Sequence, residues 1–217
     1  MFSFDPFGWA THFLSSSLIH KLVRLTLILA LIGFLWLRLR EYDHYMFKPL
    51  WVMESLIFVI LIVAYIIREE PVDRSRNAPE ILLPLLGSVT PFVLLFTPPV
   101  QAIYEIRLLL QGIFIWMTLA TFLTAWGMWT LRRSFSITVE ARNPVNRGPY
   151  RWIRHPVYLG EIGAAAAVTV WRFSALNVFF FLAFIAIQLY RTRMEEAKLQ
   201  KFFPEYELYR QSTWWFF

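Results

Sequence analysis

The sequence predicts an all-α, polytopic transmembrane helical bundle, and three observations carry that prediction. Of its 217 residues 58% are hydrophobic and only 17% are charged, against roughly 45–50% apolar and about 25% charged in a soluble domain. The apolar residues fall in runs close to the roughly 20 that a bilayer-spanning helix needs. The net charge of +6 is gathered in short loops between those runs. That is the pattern of the positive-inside bias rather than of a nucleic-acid-binding face, so no nucleic-acid partner is expected and the bilayer is. The absence of cysteine excludes disulfides, thiolate metal sites and a cysteine nucleophile.

Residues 1–17 carry Phe2, Phe4, Phe7, Trp9 and Phe13 beside Asp5 and His12, an aromatic stretch suited to the headgroup level. A cleaved signal is not expected, because the first cations, Lys21 and Arg24, stand inside an apolar run that reaches Leu37. Residues 18–37 predict the first span. Arg38 to Lys48 is a charged loop, and about Leu50 to Ile67 predicts the second span. Arg68 to Glu80 holds four acids, three bases and two prolines, which reads as a solvated connection. The third span, about 81–100, contains Pro84, Pro91, Pro98 and Pro99 and is expected to be kinked or broken. The fourth, about Arg107 to Leu131, is the longest and cleanest.

Arg132 to His155 contains six arginines against one acid, Glu140, which predicts a cytoplasmic loop. Two apolar stretches follow, 157–171 and 174–190, separated by Arg172-Phe173. At about 1.5 Å per residue the first reaches only about 22 Å, short of a hydrocarbon core of about 30 Å. The pair therefore predicts a short helical hairpin that returns the chain to the cytoplasmic side, giving about six helical spans. The charged tail from Arg191 predicts an interfacial cytoplasmic helix ending in Trp214, Trp215, Phe216 and Phe217. Residues 1–131 thus form a four-span scaffold and 132–217 the chemically active region of one integrated membrane domain.

The polar residues of that region are concentrated. Gly148 to Glu161 packs two arginines, His155, two tyrosines and a carboxylate between hydrophobic stretches, where polar groups are costly and usually functional. His155 precedes Pro156, so its backbone is biased to extended geometry and the helix starts at about the proline. Glu161 falls near that helix start, where the dipole favours an anion; helix-start stabilisation and a role in a site are both open readings. Gly160, Gly163 and the alanines after them allow close approach by a helix or by a flat ligand. Arg191 and Glu195 are spaced to pair along a helix, which would leave Glu196 to face a site. No zinc-ligand spacing, glycine-rich phosphate loop or nucleophile elbow occurs.

Gly148-x-Tyr150-x-x-Ile153-Arg154-His155-Pro156-x-Tyr158-x-Gly160, then Glu195-Glu196-x-x-Leu199 and Phe202-x-x-x-Tyr206-x-x-Tyr209, resembles the isoprenylcysteine carboxyl methyltransferase and phospholipid methyltransferase superfamily of integral membrane proteins. The resemblance covers about residues 140–210. It implies methyl transfer that depends on S-adenosyl-L-methionine, with an acceptor arriving from the bilayer. The cofactor-binding residues it implies are Tyr150, Arg154, His155, Pro156, Tyr158, Leu159, Gly160, Glu161 and Glu196. The catalytic set is Arg154, Arg191, Glu195 and Glu196. The cofactor carries two cationic groups and a carboxylate, so carboxylates, aromatic faces and an arginine are the matching chemistry. The acceptor is a lipophilic or small hydrophobic carboxylate, amine or thiol. Phe203 stands where the superfamily usually has glycine, and the aromatic end replaces a proline-containing segment, both close to the expected acceptor entrance. Two other readings fit a fold of this kind: an NADPH-dependent sterol-reductase-like enzyme, for which an asparagine is expected where Pro156 stands, and a non-catalytic membrane protein.

Overall fold

The computed structural model describes residues 16–75 and 77–215. The expected headgroup-level aromatics of residues 1–15, Arg76 in the charged connection and the final Phe216-Phe217 lie outside the described residues. Among the described residues eight α-helices succeed one another: α1 (Ser16–Arg40), α2 (Lys48–Ile67), α3 (Ala78–Val93), α4 (Gln101–Glu105), α5 (Arg107–Leu131), α6 (Pro156–Trp171), α7 (Ala175–Phe202) and α8 (Tyr206–Ser212). Four helical segments among the described residues are long and apolar enough to cross a membrane: Lys48–Ile67, Ala78–Phe96, Arg107–Ser134 and Ala175–Phe202. The α6 helix is apolar but shorter.

Proline fixes several of the boundaries. Pro49 and Pro79 sit in the first turns of α2 and α3 and Pro156 opens α6, positions where the missing N–H costs nothing. The third span is interrupted as its prolines predict. Its α-helix tolerates Pro84 and Pro91, tightens to a 3-10 turn at Leu94–Phe96, and stops before Pro98-Pro99.

The most extensive helix packing joins α5 to α6, and small residues make it possible. A Cβ on Gly160 would lie 2.6 Å from the Ala120 carbonyl oxygen and 2.7 Å from the Thr124 nitrogen. A Cβ on Gly127 would lie 2.7 Å from the Val157 side chain. The glycines therefore serve the close helix–helix approach that membrane packing rewards. Ile60, Ala64, Tyr65, Ala125, Met128, Val157 and Tyr158 form the adjoining core.

Two features depart from the sequence expectation. The second arm of the hairpin and the charged tail are one helix, because α7 runs unbroken for 28 residues through Arg191, Glu195 and Glu196 to Phe202. The bend lies at its start: the Ser174 side chain caps the Asn177 N–H, and the fully buried Asn177 amide donates to the carbonyls of Leu94 and Arg172 and to Thr97 Oγ1. The Arg68–Glu80 connection is also more than a solvated link. Val72 and Asp73 pair with the backbone of Ala141, and buried Asp73 lies 3.1 Å from Lys198 Nζ. The connection thereby docks the 132–155 loop against α7.

Candidate active site

The C-terminal ends of α2, α5 and α7 and the N-terminal ends of α3 and α6 meet at one end of the bundle, beneath the arginine-rich loop. Arg142 is buried within that loop and reaches Glu140 at 2.7 Å, while Arg68 reaches the same carboxylate at 2.6 Å. Burial pushes the Glu140 carboxyl up, but the two guanidiniums outweigh it and hold it below the usual carboxylate range. Lys198, on α7, donates to the carbonyls of Arg74 and Val139 and pairs with Glu80 at 2.9 Å. These contacts fix the roof of the site before any ligand is considered.

The signature stretch is then aimed inward by its backbone. Gly148 adopts a positive φ of 56°, the left-handed region that favours glycine, and starts a 3-10 turn through Arg151 that buries Tyr150. The tail comes back to clamp this turn. Tyr209 Oη donates to the Tyr150 carbonyl at 2.7 Å, Arg154 N donates to the Trp214 carbonyl at 2.8 Å, and Trp214 N donates to the Trp152 carbonyl at 2.9 Å. The aromatic end, expected only as an interfacial anchor, therefore holds the signature backbone in place.

The charged residues separate into two clusters. Glu196 Oε1 lies 2.9 Å from Arg154 Nε and 3.0 Å from His155 Nε2, and Arg154 also donates to the carbonyls of Arg210 and Thr213. In the second cluster Glu195 Oε1 accepts from Tyr158 Oη and, at 3.2 Å, from Arg191 Nε. Arg191 extends another nitrogen to the Ile137 carbonyl at 2.6 Å and lays its guanidinium 4.7 Å from the centre of the Tyr158 ring. The expected Arg191–Glu195 pair forms, but Glu196 is not left over to face the site, because Arg154 and His155 occupy it.

A cavity of about 910 Å³ opens beside these clusters, within the roughly 300–1,000 Å³ typical of ligand pockets. Tyr150, Arg154, His155, Tyr158, Glu161, Arg191 and Glu195 are in its wall, together with Tyr206 and Tyr209. Burial pushes the phenols of Tyr150 and Tyr206 well up and that of Tyr209 up to about 12, so all three remain neutral hydroxyls near pH 7. Pro156, Leu159, Gly160 and Glu196 are outside the wall. Pro156 starts the helix, Leu159 packs on the α2–α5 core, Gly160 abuts α5, and Glu196 stands behind Arg154 and His155. The cavity continues between α2, α3, α5 and α6 along apolar walls that include Phe58, Leu61, Phe92, Phe114, Met117 and Val168.

Sequence reading missed Gln188, which is fully buried on α7 and donates from Nε2 to Glu161 Oε2 at 2.5 Å. The available signal was an amide inside an apolar span, where a polar side chain needs a partner. It also missed Lys198 and Asp73, whose pairing depends on a fold-back that local pattern does not encode.

The fold and its site define an integral membrane protein of helices with a polar chamber opening into an apolar one. Residues 111–201 match the isoprenylcysteine carboxyl methyltransferase family. No curated protein matches the chain.

Proposed function

We propose that this protein transfers a methyl group from S-adenosyl-L-methionine to a lipophilic or small hydrophobic acceptor, at a site on the cytoplasmic side of the membrane. The observation that carries this reading is a cavity with both a charged lining and an apolar one. It offers a polar ligand and an apolar one adjoining space. The donor set suits the cofactor: the Glu195 carboxylate and the tyrosine faces match its cations, and the Arg154 guanidinium matches its carboxylate. Arg154 is oriented for that task by Glu196 and by the two tail carbonyls.

When bound, the cofactor supplies a methyl carbon made electrophilic by positively charged sulfur. The residues of the chain position the two ligands and exclude water, which in an in-line displacement accounts for most of the rate. Tyr158 and Arg191 hold Glu195 from two sides. Tyr150, Tyr206 and Tyr209 surround the chamber with neutral phenols. In this reading α1 and α6 also traverse the bilayer, for six crossings, and the six-arginine loop faces the cytoplasm.

Calorimetric titration of the detergent-purified protein tests the reading. S-adenosyl-L-methionine and its demethylated product are expected to bind, and Arg154→Ala is expected to abolish that binding. Binding of NADPH with neither of the other two would replace this reading by a reductase.

A further inference from the structure

The cavity follows most of α5. Its wall there takes in Phe114, Met117, Thr121, Thr124, Met128 and Leu131, one helical face whose two ends are about 26 Å apart at about 1.5 Å per residue. Leu131 adjoins the arginine-rich loop over the candidate site. Phe114, at the other end, clusters with Leu50 near the start of α2 and with Ala167 near the end of α6, and Tyr45 and Trp171 pack on that cluster. The end away from the candidate site therefore lies where α1 passes to α2 and α6 to α7, and Arg38, His44, Tyr45, Glu54, Trp171 and Arg172 are in its wall.

This far end is polar. Glu54 shares with Leu50, Ile57, Phe58 and Leu61 the face of α2 that lines the cavity, about 9 Å along the helix from its first residue. A carboxylate among apolar side chains needs partners, and Glu54 has two, the Arg38 guanidinium and, at 2.6 Å, the Tyr45 hydroxyl. Both contacts fall on Oε2, so Oε1 accepts no hydrogen bond among the described residues. The Glu54 side chain keeps 31% of its surface accessible, which leaves room for a further partner. The charges here are already matched: Arg38 answers Glu54, and Arg172 donates to the carbonyls of Leu95 and Thr97. None of these residues has a part in the chemistry proposed above.

We propose that this end is a second polar subsite, binding a neutral hydrogen-bond donor such as a hydroxyl at the remote terminus of a long apolar ligand. A hydroxyl donates to the open oxygen of Glu54 without adding charge to a matched pair. A methyl terminus would strip water from the Arg38–Glu54 pair and return no hydrogen bond, and a charged terminus would arrive without a counterion. That this ligand is the methyl acceptor rests on the methyltransferase reading above. The acceptor then carries a polar group at each end, separated by about the length of α6 from Tyr158 to Trp171, roughly 20 Å at about 1.5 Å per residue.

Calorimetric titration of the full chain in detergent tests the subsite with two pairs of ligands, the sixteen-carbon α,ω-diol against the sixteen-carbon alcohol and the eight-carbon diol against the eight-carbon alcohol. The long diol is expected to bind about 10-fold more tightly than the long alcohol, the scale of one hydrogen bond to a charged group. The short diol cannot reach both ends and should show no such gain over its alcohol. The double variant Arg38→Met/Glu54→Leu replaces both charges by apolar side chains and leaves neither unpaired. It should unfold cooperatively and bind the two long ligands equally. Equal binding of the long pair by the wild type, an equal gain in the short pair, or a preference kept by the folded double variant overturns the proposal. Failure of S-adenosyl-L-methionine to bind while the long-diol preference holds removes the methyltransferase reading and leaves the subsite standing.

Discussion

Nε2 of His155 lies 3.0 Å from Oε1 of Glu196, a contact between the residue that precedes α6 and the last third of α7. The same oxygen lies 2.9 Å from Arg154 Nε. One carboxylate therefore sets the direction of two neighbouring side chains that face the cavity without facing it itself. Glu196→Gln keeps the shape but removes the charge opposite the half-buried Arg154. Losing such a charged contact costs about 1–3 kcal/mol, so a lower thermal midpoint and weaker cofactor binding are expected, read by thermal unfolding and calorimetry. An unchanged cofactor affinity would show that Arg154 needs no such orientation.

Gly160 tests whether the α5–α6 approach is as close as it is here because of that glycine. In Gly160→Ala the new methyl meets the Ala120 carbonyl and the Thr124 backbone, atoms that move only if the helices part. Overpacking of this kind typically costs about 1–3 kcal/mol, and the displacement of α6 would carry Tyr158 and Glu161 with it. Gly112→Ala, on α5 with nothing within 4 Å of the added methyl, is the control. It should stabilise by about 0.4–1 kcal/mol. Comparing the two midpoints in one detergent checks both.

Lys198 is 8% exposed and sits between Asp73 at 3.1 Å and Glu80 at 2.9 Å. Lys198→Met leaves those carboxylates facing an apolar side chain, and removing one member of a buried pair costs about 3–5 kcal/mol. We expect Lys198→Met to release the 68–80 connection, detected as faster proteolysis in that segment. Wild-type resistance in the variant would contradict the role of Lys198 as the tie.

Stability should fall in acid through Glu140. Its folded pKa is depressed, since Arg68 and Arg142 outweigh the effect of burial. A depressed carboxylate stabilises the fold at pH values above its unfolded pKa of about 4.3, and this contribution is lost as pH falls through the lower folded value. Glu140→Gln should therefore be less stable at neutral pH and show a shallower loss of stability between about pH 5 and 3. Parallel acid limbs in the two proteins would rule this out.

The sequence by itself determined the helical membrane character, through the length of its apolar runs, and three helix starts, through Pro49, Pro79 and Pro156. It also singled out the candidate site, because arginines, a histidine and carboxylates are costly to place beside lipid. Only the tertiary structure decided which carboxylate meets which cation. Glu195 and Glu196 are adjacent on one helix, and local spacing assigned Arg191 to the first and nothing to the second. The unbroken α7 instead turns Glu195 to Tyr158 and the cavity, and Glu196 to Arg154 and His155. Likewise Gln188 and Glu161 are separated by 27 positions, and Lys198 and Glu80 by 118. A periodic pattern says which face of a helix is polar, whereas the partner across from it depends on how the helices are arranged around one another.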